Sequence, residues 1–156
     1  MMPAFLTCQL GVTLFIALHD WLPLGSLNNL AGIRAVDSTR RRLVTTVVSV
    51  LPFAVGLAGS LYYSEGRFPE WLIWLLAVTY GLGLYGMLRA WYLPYFVYRD
   101  TARAERYHVR FANTHAFLPM RNGIRRDTLH VGFHAVLIAT AVLLCVLLIS
   151  GTLTRP

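Results

Sequence analysis

The feature that most constrains this chain is a succession of apolar runs, Pro3 to Leu18, Leu43 to Tyr63, Trp71 to Leu93 and Leu129 to Gly151, set apart by short polar segments. An α-helix rises 1.5 Å per residue, so about 20 mostly apolar residues cross the hydrocarbon core of a bilayer. A helix also bonds its own N–H and C=O groups, which lipid cannot do for it. The runs therefore predict an all-α polytopic membrane protein, one domain over residues 1–156. Its four transmembrane helices fall at about 3–20, 43–63, 71–93 and 129–151, with connecting segments 21–42 and 94–128. Composition agrees: 56% of residues are hydrophobic and 13% charged, against about a quarter charged in soluble domains. The first run has no early arginine and no small-x-small cleavage pattern, and reads as an uncleaved helix rather than a signal peptide. Pro52 is expected to kink the second helix, and Pro94 to end the third.

Charge orients the spans. All 14 basic residues are arginine. Arg34, Arg40, Arg41 and Arg42 lie between the first two runs. Arg99, Arg103, Arg106, Arg110, Arg121, Arg125 and Arg126 lie between the last two, whereas the turn after Tyr63 carries only Arg67 and the C-terminal tail only Arg155. Arginine beside a span marks the cytoplasmic side, so a cell-membrane protein with both termini outside and both long loops in the cytoplasm is expected. The net charge of +7 follows from this bias and calls for no nucleic-acid partner. Trp71 and Trp74 at the start of the third run, and Trp91, Tyr92 and Tyr95 at its end, suit the two interfaces. Gly56 and Gly59, and Gly83 and Gly86, let helices approach closely, either within the chain or between chains of a homo-oligomer or larger complex. Cys8 and Cys145 sit inside apolar runs as small hydrophobes; a bond between them is the alternative.

The loops carry pattern too. Arginines at 99, 103, 106 and 110 recur at spacings of four, three and four, one face of a helix. An amphipathic interfacial helix is predicted here, capped by Asp100, with the arginines toward headgroups and water. Leu27, Leu30 and Ile33 ahead of Asp37 and Ser38 suggest a second, shorter one. Asp127 or Thr128 is placed to cap the last span. Asn122-Gly123 marks a turn in a segment expected to fold over the cytoplasmic mouth of the bundle.

The histidines gather at that same side. His19 and Asp20 end the first span, His130 and His134 open the last, and His108 and His115 lie in the loop. An ionisable side chain inside a span is a functional hypothesis by default. His134, His130 and Asp20 are the candidate catalytic groups, since imidazole moves protons near neutral pH. Arg89, Arg121, His115 and Trp91 are candidate ligand-binding residues. Arg89 otherwise snorkels to the interface or pairs with Asp20. His19, Asp20, His130 and His134 form a candidate divalent-metal set, the i, i+4 histidine pair being spaced as in zinc sites but without their glutamate. Histidines from the first and last spans could instead hold haem iron. No span holds a membrane-embedded Asp or Glu, Asp20 standing at the end of its run, and no phosphate loop or nucleophile elbow occurs. This poverty of motifs favours an accessory or assembly subunit of a membrane complex, in contact with membrane lipids and bearing a His/Arg-lined polar site on the cytoplasmic face. The alternatives are a membrane enzyme acting on an anionic lipid or isoprenoid headgroup, with or without a metal, and a haem-binding electron carrier.

Overall fold

A computed structural model describes residues 1–154; Arg155, counted above with the outer segments, lies outside the described residues. The described residues form helices α1 (Met2–Leu18), α2 (Leu30–Val36), α3 (Thr39–Tyr62), α4 (Glu70–Met87), α5 (Leu93–Phe96), α6 (Thr101–Arg110) and α7 (Thr128–Ile149), with no strand among them. Their starts follow from the sequence. Side-chain oxygens of Asn29, Ser38, Asp100 and Asp127 accept backbone N–H bonds from Gly32, Arg41, Arg103 and His130. Each such cap satisfies a donor that the helix itself leaves orphaned.

Three helices, rather than the four expected, are long and apolar enough to cross a membrane: Thr39–Tyr62, Glu70–Phe96 and Thr128–Ile149. Helix α1 is apolar but has 17 residues, about 25 Å of rise against a hydrocarbon core of roughly 30 Å. The expected end before Pro94 is also corrected. The third span passes from α4 through a π-helical turn, Leu88–Tyr92, into α5. Pro94 has no N–H, so the Ala90 carbonyl loses its usual donor four residues on. Arg103 Nη1 (3.0 Å) and Tyr107 Oη (3.4 Å) from α6 reach that carbonyl instead. Neighbouring side chains thus meet the acceptor that proline left open, and the helix continues.

Four helices close a ring in which α1 touches α3 and α7, and α4 touches the same two. Contacts give their directions. Phe15 near the end of α1 stacks on Phe133 near the start of α7. Trp21, just past α1, donates to Thr46 near the start of α3. A Cβ placed on Gly56 or Gly59 would meet Leu76 or Leu72 respectively, and one on Gly83 would meet Leu137. Rising numbers on one helix meet falling numbers on the next, so neighbours run antiparallel. The Gly56 and Gly59 face is therefore used inside the chain. Cys8 and Cys145 are free thiols.

The ring has two unlike ends. At one, the turn after α3 meets the chain's last described residues, Phe68 N–H donating to Leu153 O at 2.9 Å, with both side chains buried. At the other, α2, α6 and the segment up to Asp127 make a cap. Asn122 and Gly123, at φ 51° and 77°, form the expected turn between Arg121 and Ile124, which bond each other's backbone. Positive φ at both central positions is what such a turn requires. The arginine face of α6 is a correction: Arg103 and Arg110 point into the protein, not toward headgroups.

Candidate functional site

The cap is held by a charge network at the ends of α1 and α2. Arg110 Nη2 lies 2.6 Å from Asp20 Oδ2, and its Nη1 lies 2.9 Å from Asp37 Oδ2. Arg41 and Arg106 approach the other Asp37 oxygen at 3.4 and 3.6 Å. Asp20 and Asp37 are 14% and 11% exposed, so these carboxylates are largely withdrawn from water and depend on their guanidinium partners. Asn28 donates to the carbonyls of His19 and Leu22, closing the C-terminus of α1. Asn29 donates to Ala112 O, tying the start of α2 to the segment after α6. Gly32 sits where a Cβ would strike the Val109 carbonyl and the Asn29 amide, so α2 and α6 approach closely only because this residue is glycine.

Inside the cap, aromatic rings meet the histidines. Trp91 stacks on His130 with centroids 4.7 Å apart, and packs against Tyr107 at 4.8 Å and Phe111 at 5.2 Å. His19 lies edge-on to His130 at 5.4 Å, and His130 to His134 at 6.4 Å. The π-helical turn is what places Trp91 here; such turns recur at functional sites. Burial pushes the Tyr107 hydroxyl pKa above its usual value, so it acts as a neutral donor to Ala90.

Between the four long helices and beneath these rings lies a cavity of about 260 Å³. His19, Trp91, His130 and His134 line it, together with Phe15, Phe53 and Phe133. Ser49, Gly83 and Gly86 also line it, and their small side chains leave the space that leucines fill at the opposite end. No arginine or carboxylate belongs to its wall.

The expected site residues thus separate. Arg89 bonds Tyr98 Oη at 2.7 Å, away from Asp20, whose guanidinium partner is Arg110. Arg121 lies over the Phe96 ring. His115 faces the Thr128 hydroxyl at 2.7 Å. None of these three lines the cavity. His130 Nδ1 lies 2.9 Å from the Asp127 carboxylate, an acceptor, and so carries its proton there. His19 has both ring nitrogens opposed by acceptors, Phe15 O at 2.8 Å and Asp20 Oδ1 at 3.1 Å. Neither nitrogen is open to iron or zinc. Among the described residues, no three His, Cys, Asp or Glu side chains are arranged to hold a metal ion. His134 differs from the others: it is 2% exposed, and its Nδ1 is buried without a hydrogen-bond partner.

Several residues escape a reading of sequence alone. Phe15, Phe53 and Phe133 carry no signal that separates them from other apolar residues in a span. Gln9 does: it is the only carboxamide in the first run, and it is fully buried with its amide beside the Tyr80 hydroxyl. A buried amide within an apolar helix is a departure that sequence alone can flag. Comparison with family models, with curated proteins and with solved structures finds no match to this chain.

Proposed function

We propose that this chain is a four-span membrane protein serving as an accessory or assembly subunit of a larger membrane complex, with α1 as the fourth span and the arginine-rich cap in the cytoplasm. The observation that carries the reading is that the carboxylates of the cap, with His19 and His130, are spent on neighbouring protein groups. Asp20 and Asp37 are paired by Arg110, with Arg41 and Arg106 also on Asp37, His130 is held by Asp127, and His19 by Phe15 and Asp20. A catalyst needs an acid, base or nucleophile left available to substrate; here the carboxylates, His19 and His130 are used to fix the cap, and His134, the exception, stands in a wall with no charged group beside it. The wall of the cavity also lacks the guanidinium that an anionic headgroup would require, which disfavours the lipid-headgroup enzyme.

Helix α1 reaches the interfaces once its C-terminal extension is counted, because His19, Asp20 and Trp21 continue the chain through one further turn, with Trp21 and Leu22 N–H both bonded to Leu18 O. Extraction into polymer-bounded lipid discs, without detergent, tests the subunit reading. The chain is expected to migrate in a discrete assembly much heavier than its own 17.6 kDa. A lone monomer under those conditions removes the reading. Cysteine labelling at Thr101 and Gly66, substituted one at a time in a chain without Cys8 and Cys145, tests orientation: Thr101 is expected to be protected from an impermeant reagent and Gly66 reactive.

A further inference from the structure

We infer that the cavity beneath Trp91 is a binding site for the ring of a neutral, lipid-tailed quinone drawn from the bilayer. The inference deepens the subunit reading above and rests on it only for the placement of α1 as a span.

Three observations converge. The cavity measures about 260 Å³, below the range for drug-sized ligands, so it holds one substituted ring and not a macrocycle. Its walls are largely aromatic: Phe53, Phe133 and the Trp91 indole line it, while Phe15 is sandwiched between His19 at 4.3 Å and Phe133 at 4.1 Å and shows it only a ring edge. Offset and edge-on packing against such rings favours an aromatic or quinonoid ring over a branched aliphatic group. At the wall stands His134, 2% exposed, with an imidazole nitrogen that no protein atom satisfies. A buried polar atom left alone is costly, and native proteins leave few of them. A carbonyl oxygen on the ring would accept a hydrogen bond from that imidazole. The absence of arginine from the wall leaves an anionic headgroup uncompensated, whereas a quinone brings no charge.

The site also has a way in. Gly86 is exposed, lines the cavity, and has nothing within 4 Å of where a Cβ would stand. It lies with Ser49 in the cavity wall, where α3 and α4 carry these two small residues beside the larger Phe53 and Met87. A ring can enter there from the lipid while its tail stays among acyl chains. The proposal is one of binding, with no electron transfer implied.

The test uses the full chain in phosphatidylcholine nanodiscs titrated with a decyl-tailed benzoquinone, followed by tryptophan fluorescence. Lipid-facing Trp71 and Trp74 are expected to quench linearly with quinone in the bilayer. Trp91, 7% exposed, is expected to add a saturable component. Gly86→Leu fills the mouth without a clash and should abolish that component. His134→Phe keeps the ring volume, loses the nitrogen and should weaken binding about tenfold. Gly81→Leu, on α4 but outside the cavity wall, with equally open space at its Cβ, should leave it unchanged. No saturable quenching in the wild type overturns the inference, as does a component that survives Gly86→Leu. Equal competition by a decyl-tailed alcohol lacking a ring overturns the ring specificity. A chain found in a large assembly that shows no saturable quenching loses the ligand and keeps the subunit reading; saturable quenching in a lone monomer does the reverse.

Discussion

At one end of the bundle Phe68, Leu72 and Leu153 are buried together around a single backbone bond, while at the other Arg110 bridges carboxylates contributed by two different segments. The first end is closed by dispersion and by the fit of Gly59 against Leu72. Such contacts are weak singly and tolerate small shifts. The second is closed by directional bonds between partly desolvated charges, where each group depends on the others. The difference teaches where this molecule can accept change. An apolar end loses stability by degrees as atoms are removed, but a charge network fails when one member is lost.

The sharpest way to break that contrast is Arg110→Met. It keeps much of the side-chain volume while stranding Asp20 and leaving Asp37 only the longer contacts to Arg41 and Arg106. Breaking a buried pair by removing one partner costs about 3–5 kcal/mol, so the cap is expected to detach and hydrogen exchange in α2 and α6 to approach that of free peptide. The bundle amides around Gly56 and Gly59 should keep their protection. Neutralising both carboxylates in the same chain, with Asp20→Asn and Asp37→Asn, should recover part of the loss, because the cost lies in the unpaired charges. No recovery would mean that Arg110 acts through its packing on Phe111.

Gly32→Ala attacks the same cap without touching a charge. Its Cβ would meet the Val109 carbonyl, a backbone atom that cannot swing aside. Overpacking of this kind typically costs about 1–3 kcal/mol. Faster exchange confined to α2, α6 and the segment after them is expected. The corresponding Gly59→Ala at the other end meets only the tip of Leu72, a flexible side chain, and should cost less. Equal effects at the two ends would erase the distinction drawn here.

Much of the local structure was legible beforehand, because it depends on neighbours in sequence. Ser38, Asp100 and Asp127 cap the helices that follow them, and Asn122-Gly123 turns the chain, since each acts over three or four residues. Pro94 misled for a physical reason: proline removes a donor, but whether a helix ends there depends on what else can satisfy Ala90. The answer came from Arg103 and Tyr107, in another helix. The arginine period of α6 defined a face but could not say which way it turned, because Asp20 and Asp37, its partners, are distant in the chain. The histidines did point to one end of the bundle. That the unpartnered nitrogen of His134 is a buried one depends on side-chain geometry that spacing does not encode.

Asp127 sharpens the comparison at smaller scale, since it caps α7 and orients His130 together. Asp127→Ala is expected to cost about 1–2 kcal/mol as a lost cap and to loosen the His130 ring against Trp91. A blunted Trp91 fluorescence signature would report the second effect separately. Asp127→Asn should retain most of the cap.

The smallest effect is expected at Asp100, and it separates an exposed cap from the desolvated network. The backbone N–H of Arg103, and then its side chain, hold the Asp100 carboxyl below its usual pKa. A depressed folded-state pKa stabilises at pH values above the unfolded one, about 3.9 for aspartate, and that contribution is lost as pH falls through the folded value. Protection of the Arg103 amide should therefore be constant near neutrality and decline only below about pH 4. In Asp100→Asn, where the cap is retained and cannot titrate, the decline should be absent. Because Asp100 is more open to solvent than Asp20 and Asp37, 27% exposed against 14% and 11%, added salt should also weaken the wild-type effect, while the Arg110 contacts with Asp20 and Asp37 should respond less. A salt response of equal size at both places would mean that the network is as wet as the cap residue, and the stranded-charge explanation for Arg110→Met would fail with it.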